Sequence, residues 1–549
     1  MGILLCILIG VGAFVYISRT YSTSPLSHFI NPVVQRTLAS QPNIIFLLTD
    51  DLDVPTLSLL PKLNSLMTQK GKTFQNHFVS LSLCCPSRAA TLTGMYAHNN
   101  GVFTNAEENP DGTSGAYKAF TEYADDTRTM AVWLKDAGYK TALMGKYLNG
   151  YNLDTEPEYA IPEGWSEWAV PIDGDAYGQY NYTLNANGKK EDYYLANCVT
   201  GSKKPCKRDL VTATRADKEA NYMINVLDAK AKDFITRNSA NEDPFFLYLA
   251  PYTPHGPATP SPKYENLIDD AAWLAAHPLP KNASFNETDI RDKPTWLRDN
   301  AGLLEAHNIN SLTNDYRKRV ISMYGIEDLL ESLILTLTET GQLNNTYIVF
   351  TSDNGFHLGE HRLTGGKLTE FDTDIRIPLI VRGPGIPEGS NTTELTANVD
   401  IAPTLASLAG IPIPDTVDGR SFKELLFGRT VLARNAILIE HADPSGNQAH
   451  PTNKNATDEP RDGAEVNGPI KGGELVTEYR GVRTLQYTYV HYTKNNEEEL
   501  YDNFADPFQL NNIAYTANAS LLTNLRTWTT DLSSCKGQIC RTIEAERRI

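Results

Sequence analysis

The chemistry this sequence can offer is concentrated in a few oxygen-bearing and basic residues and one cysteine. The run Cys84-Cys85-Pro86-Ser87-Arg88-Ala89-Ala90-Thr91-Leu92-Thr93-Gly94 reads as a helix, with Pro86 suited to its first turn and Gly94 to its end. Cys84 and Arg88 then lie near a helix N-terminus, where free backbone N–H groups and the dipole favour an anion. A buried structural thiol is the competing reading of Cys84. Asp50-Asp51 and Asp353-Asn354 offer only oxygen donors, which suits a hard cation and gives zinc no His or Cys. A loop cap or a surface charge explains a single Asp well. It explains two pairs, each closing an apolar run, poorly. Lys146 and Lys367 add positive charge to that of Arg88, and His255 adds a group that titrates near neutrality.

These residues are far apart in the chain, so the fold must gather them. Asn43-Ile44-Ile45-Phe46-Leu47-Leu48-Thr49 runs into Asp50-Asp51, and Thr346-Tyr347-Ile348-Val349-Phe350-Thr351 runs towards Asp353-Asn354. Phe245-Phe246-Leu247-Tyr248-Leu249 leads to His255, and Thr141-Ala142-Leu143-Met144 to Gly145-Lys146. Unbroken apolar runs read as strands buried on both faces. Helical patterns intervene, from Thr127 to Ala137 closed by Gly138, and from about Asp315 to Thr340 closed by Gly341. The alternation predicts an α/β sandwich with helices flanking a large central sheet. Ligands of such sheets bind beyond the carboxyl ends of the strands, so one site at one edge is the economical expectation. After Ile377-Pro378-Leu379-Ile380-Val381 the pattern changes, and from about Asn435 it is strand-rich, with Tyr487-Thr488-Tyr489-Val490-His491-Tyr492 alternating. This predicts a main domain over 40–434 and a small C-terminal α+β subdomain over 435–549. Residues 442–473, polar and rich in Pro, Gly and Asn, read as a long surface excursion.

Composition removes other classes. Acidic residues outnumber basic ones by 66 to 49, and a net charge of -17 with no local basic patch excludes a nucleic-acid binder. Ile3 to Ile17 is an apolar run of the length of a signal-peptide core and short for a membrane span of about 20 residues. Without a basic n-region or a small-residue cleavage site, signal peptide and signal anchor both stay open for residues 1–20. Asn181, Asn282, Asn286, Asn344, Asn391, Asn455 and Asn518 each head an Asn-x-Ser/Thr triplet. Cys198 with Cys206, and Cys535 with Cys540, are spaced to close short disulfide loops. All three features predict the secretory pathway, with the protein secreted, lysosome- or vacuole-like, or anchored through its N-terminal segment.

The Cys84-x-Pro86-Ser87-Arg88 run followed by Leu92-Thr93-Gly94 resembles the signature of the sulfatase family. Further similar motifs follow in the family's order: Asp50-Asp51, Gly145-Lys146, Pro254-His255, Asp353-Asn354-Gly355, Leu358-Gly359-Glu360-His361, Gly366-Lys367 and Leu500-Tyr501-Asp502. In detail, Cys84-Cys85-Pro86-Ser87-Arg88 and Gly145-Lys146-Tyr147-Leu148-Asn149 resemble the branch of glucosamine-6-sulfatases and fungal arylsulfatases. The resemblance implies an alkaline-phosphatase-like fold and a formylglycine (3-oxoalanine) made from Cys84 by a formylglycine-generating enzyme. It also implies a Ca2+ ion held by Asp50, Asp51, Asp353, Asn354 and the converted Cys84, and hydrolysis of aryl sulfates or sulfated sugars. Arg88, Lys146, His255 and Lys367 are the implied catalytic residues. A hydrated formylglycine has two hydroxyls: one takes the sulfuryl group, and the other then expels sulfate by elimination from the formylglycine-sulfate intermediate.

One position departs from the pattern. Many sulfatases carry a His two residues after the Lys of the Gly-Lys pair, and here Leu148 stands there, with Asn149 as its polar neighbour. Asn cannot act as a base at neutral pH, so His357 and His361 become candidates, each also readable as a structural histidine. Two other functions compete: a phosphate or phosphonate monoester hydrolase of the same superfamily, and a catalytically silent protein that binds sulfated glycans.

Overall fold

A computed structural model describes residues 41–107, 113–124, 126–151, 160–196, 210, 212–241, 243–429, 434–442 and 476–549. The apolar N-terminal run, the Cys198 and Cys206 pair, Asn455 and nearly all of the 442–473 excursion fall outside the described residues.

Ten strands form a central mixed sheet, in the spatial order Ser390–Ala397, Lys72–Phe78, Leu379–Arg382, Thr346–Ser352, Asn43–Thr49, Phe245–Ala250, Lys140–Gly145, Glu167–Gly174, Tyr182–Ala186 and Lys189–Tyr193. The middle of this order is parallel: Asn43–Thr49 pairs with both Thr346–Ser352 and Phe245–Ala250, and the latter with Lys140–Gly145. Leu379–Arg382 is antiparallel to its two neighbours. Successive side chains of a strand face opposite sides, and the two sides are both core. Ile44, Phe46 and Leu48 join the cluster that includes Ala89, Leu92, Leu134 and Leu405. Ile45 and Leu47 join the cluster of Leu227, Phe234, Met323 and Leu330. Each such fully buried side chain contributes roughly 1.5–3 kcal/mol, so the strand is held by packing on both faces.

The expected strands are all present, most extended by a residue or so, whereas two helices begin elsewhere. The helix expected from Thr127 runs over Met130–Asp136, because Thr129 caps it by accepting from the Val132 N–H. The helix expected from about Asp315 runs over Ala306–Glu339, opened by a reciprocal cap between Glu305 and Asn308. The apolar periodicity that marks this helix in sequence starts well inside it.

The C-terminal region forms a four-stranded antiparallel sheet, Ile437–His441, Tyr479–Arg483, Tyr487–Tyr492 and Glu498–Asp502, in chain order. Helix Ala519–Leu532 shares its apolar cluster through Leu525, Trp528 and Leu532, and helix Gln538–Ala545 through Cys540 and Ile543. The Cys535–Cys540 disulfide is formed at the start of the last helix. No helix among the described residues is long and apolar enough to cross a membrane. The Asn391 and Asn518 sequons are exposed, whereas Asn181 is buried, with its side-chain oxygen accepting from the Leu195 N–H.

Candidate functional site

Four adjacent parallel strands deliver their C-terminal ends to one edge of the sheet. Asn43–Thr49 ends in Asp50 and Asp51, and Thr346–Ser352 in Asp353 and Asn354; all four are buried. The Asp353 N–H donates to Thr49 O and the Asp51 N–H to Asp353 Oδ1, at 3.1 Å each, which interlocks the two ends. Asp51 adopts φ +67, a left-handed conformation uncommon outside glycine. Asn354 Nδ2 donates to Asp51 Oδ1 at 2.6 Å, leaving Asn354 Oδ1 and Asp51 Oδ2 buried without hydrogen-bond partners. Ligating atoms of Asp50, Asp51, Cys84 and Asp353 all lie within 4.8 Å of one another. Orphaned buried oxygens are costly, and the carboxylate and amide oxygens gathered here fit a hard divalent cation.

The electrostatics point the same way. Burial opposes ionisation of Asp50, but Lys146, His255, Arg88 and Lys367 outweigh it and hold the carboxyl well below its usual range. Asp353 is pushed up to about 6 by burial and by the charge of Asp50, against the pull of Arg88. Carboxylates this close oppose one another's ionisation, a repulsion that a cation among them would relieve.

Cys84 opens the helix Cys84–Thr93, which ends at Gly94 in the left-handed conformation, as its sequence requires. Leu83 precedes it without a side-chain cap, while the Cys85 N–H is met by Asn105 Oδ1 at 2.9 Å. Cys84 Sγ lies 2.9 Å from Lys367 Nζ and 3.3 Å from Asp50 Oδ1. Burial, and then the Asp50 charge, push the thiol well above its ordinary value. Both effects disfavour the thiolate that a cysteine nucleophile requires. One turn further along the same helix, Arg88 Nε donates to Asp353 Oδ2 at 2.8 Å and Nη1 to Lys146 O at 3.0 Å.

Lys146 follows Gly145, whose φ of +104 turns the chain out of the strand. Its Nζ donates to Asp50 Oδ2 at 2.7 Å and lies over the rings of Tyr177, at 5.0 Å, and Tyr252, at 5.7 Å. His255 follows the strand Phe245–Ala250. Its Nδ1 is 2.8 Å from Gly256 O, and a carbonyl can only accept, so Nδ1 carries a proton. That leaves Nε2 facing Asp51 Oδ2 at 3.7 Å, with the Tyr177 ring 4.5 Å from the imidazole. Lys367 leaves the hairpin of His357–Leu358 and Gly365–Gly366, and its Nζ donates to Asp51 Oδ1 at 2.7 Å.

The candidate metal ligands Asp50, Asp51, Asp353 and Asn354 and the candidates Cys84, Arg88, Lys146, His255 and Lys367 thus meet at this edge, while the two histidine candidates have their Nδ1 atoms on other carboxylates. His357 Nδ1 is bound to Asp374 at 2.9 Å, and His361 Nδ1 to Glu287 Oε2 at 2.6 Å. Leu148 is packed into the apolar core. Sequence reasoning missed Tyr177, Tyr252 and Asn105. Tyr252 carried a signal in standing three residues before His255; Tyr177 and Asn105 carried none.

The family profile described as sulfatase matches residues 42–411. The chain is 32% identical over 514 residues to human N-acetylglucosamine-6-sulfatase, covering 91% of this chain and 86% of that protein. It is 27% identical over 545 residues to an arylsulfatase of Volvox carteri, covering 91% and 76%. Among solved structures, one described as a complex with its substrate D-glucosamine-2-N,6-O-disulfate superposes with a TM-score of 0.67 at 22% identity, covering 92% of this chain and all of that one. The edge-of-sheet cluster, the helix opened by Cys84 and these matches lead to one conclusion: this chain belongs to the sulfatase family.

Proposed function

We propose that this protein hydrolyses sulfate esters of sugars of the N-acetylglucosamine-6-sulfate kind, or of aryl alcohols, with a formylglycine made from Cys84 and a bound Ca2+. The observation that carries the reading is Cys84 itself: a buried thiol at a helix N-terminus, between Lys367 and the Asp50 carboxylate. Conversion by a formylglycine-generating enzyme supplies, after hydration, one hydroxyl to attack sulfur and a second to release sulfate. Asp50, Asp51, Asp353 and Asn354, with the converted residue 84, would hold the calcium, which would supply a positive centre to polarise the S–O bonds.

The chain's own groups do the rest. The helix N-terminus, Arg88, Lys146 and Lys367 bind the sulfate oxygens and take up the charge that develops on them. Asp50 Oδ1, 3.3 Å from the Cys84 side chain, is placed to accept a hydrogen bond from the nucleophile and orient it. With Nδ1 donating to Gly256 O, His255 Nε2 would donate a proton to the departing alcohol oxygen from the imidazolium form. The sugar reading is supported by the human relative's name and by the substrate described in the solved structure. The sequons, the Cys535–Cys540 disulfide and the apolar N-terminal run support the secretory pathway.

Co-expressed with a formylglycine-generating enzyme, the protein should turn over p-nitrophenyl sulfate far faster than p-nitrophenyl phosphate, and peptide mass spectrometry should find an aldehyde at Cys84. Chelation should abolish turnover and calcium restore it, and Asp353→Ala should behave as the chelated enzyme does. Fully active protein with an unmodified Cys84 thiol overturns the reading.

A further inference from the structure

Arg319 belongs to none of the motifs above, yet it is buried against the site. It sits on the long helix Ala306–Glu339, and its guanidinium lies 4.2 Å from the centre of the Phe356 ring. Two of its nitrogens reach backbone carbonyls: Nη2 donates to Asp51 O, and Nη1 to Pro254 O at 3.3 Å. Those carbonyls belong to the ends of neighbouring parallel strands, where Asp50 bridges Pro254 and the Asp50 N–H donates to Thr253 O at 3.2 Å. Asp51 carries the carboxylate with the orphaned oxygen, and Pro254 immediately precedes His255.

The arrangement is poor as a pure stabiliser. Its carboxylate contact, Asp53 Oδ1, is 3.3 Å from Nη2, and Nε is buried without a partner. A buried charge so incompletely paired adds little net stability. What it does secure is geometry: Asp51 holds a left-handed φ of +67, a strained conformation that persists only where the surroundings impose it. A planar fork can hold two carbonyls at once, which the ammonium of a lysine cannot reproduce.

We propose that Arg319 is a positioning residue that sets the Asp51 carboxylate and the His255 imidazole relative to each other by holding the carbonyls of Asp51 and Pro254. The inference rests on the function proposed above, in which Asp51 binds calcium and His255 donates a proton. It is tested by Arg319→Lys, which keeps the charge and the aliphatic stem, and by Arg319→Ala with added guanidinium. Loss of a supporting contact of this kind typically costs about 10–100-fold. Arg319→Lys should therefore lower both kcat for p-nitrophenyl sulfate and the calcium affinity read from calcium-dependent thermal shift by roughly that factor. Millimolar guanidinium should restore part of the loss in Arg319→Ala. If the lysine variant does not fold, Phe356→Leu, which removes the ring beneath the guanidinium, should show smaller losses in the same two readouts. A folded Arg319→Lys or Phe356→Leu enzyme with a lowered melting temperature but the wild-type calcium affinity and kcat overturns the positioning role alone. Wild-type protein that neither responds to calcium nor turns over the ester overturns the proposed function and this inference with it.

Discussion

His255 is bound through Nδ1 to a carbonyl, which leaves Nε2 as the atom that can exchange a proton with a substrate. Lys367, the other candidate acid, has its ammonium on Asp51 and on the Cys84 sulfur, a placement suited to binding the sulfate. A nitrophenol leaves with little protonation, and a sugar hydroxyl does not. General acid catalysis is worth about 10²–10⁴-fold where the leaving group needs it. His255→Ala should therefore lose about 100-fold or more in kcat on N-acetylglucosamine-6-sulfate and much less on p-nitrophenyl sulfate. Equal losses on the two substrates would give His255 a binding role and return the acid role to Lys367.

At the scale of elements, the strand Lys140–Gly145 must end against its neighbour for Lys146 to reach Asp50. A Cβ on Gly145 would lie 2.1 Å from Ala250 O, the carbonyl that accepts from the Lys146 N–H at 2.7 Å. Gly341 also has a positive φ, of +72, but a Cβ there meets nothing within 4 Å. Alanine at either position incurs backbone strain of about 1–3 kcal/mol; at 145 it also pushes two strand ends apart. Gly145→Ala should lower the melting temperature more than Gly341→Ala, and should lower kcat where Gly341→Ala leaves it unchanged. Wild-type kcat in a folded Gly145→Ala enzyme would show that the strand end tolerates displacement.

Across the whole molecule, the loop after Lys367 is joined to the C-terminal sheet by a buried polar cluster. Tyr479 donates to Leu368 O at 3.1 Å, and Tyr492 to Glu499 Oε2 at 2.7 Å, with Glu370 beside Glu499. Burial, and then the charge of Glu499, hold Glu370 well above the usual glutamate value of 4.5. The folded protein therefore keeps a proton there that the unfolded chain releases above pH 4.5, and the stability this contributes falls as pH rises. Glu370→Gln has the same shape and no proton to lose. Its melting temperature should match that of the wild type in acid and exceed it increasingly towards alkaline pH, as followed by thermal unfolding at a series of pH values. Parallel curves for the two proteins would remove Glu370 as the source of the dependence.

Much of the site was legible in the sequence for a physical reason. Parallel strands buried on both faces must be continuously apolar, so Asp50, Asp51, Asp353 and Asn354 stood out as abrupt polar ends, and Pro86 and Gly94 framed the helix that Cys84 opens. Local rules also placed the Cys535–Cys540 pair and the alternating strand Tyr487–Tyr492. The contacts that cross the fold were not legible. In sequence, Arg319 is one charge on a long helix, and Tyr177 is one aromatic in a segment without periodicity. Neither reveals that its partners are the Asp51 and Pro254 carbonyls or the faces of His255 and Lys146. His357 and His361 both stood within ten residues of Lys367 in the chain, and only the tertiary structure paired their Nδ1 atoms with Asp374 and Glu287. Backbone pattern is written residue by residue along the chain, whereas the partner of a buried polar side chain is chosen by packing between segments that the chain separates, by 17 residues for His357 and Asp374 and by 268 for Arg319 and Asp51.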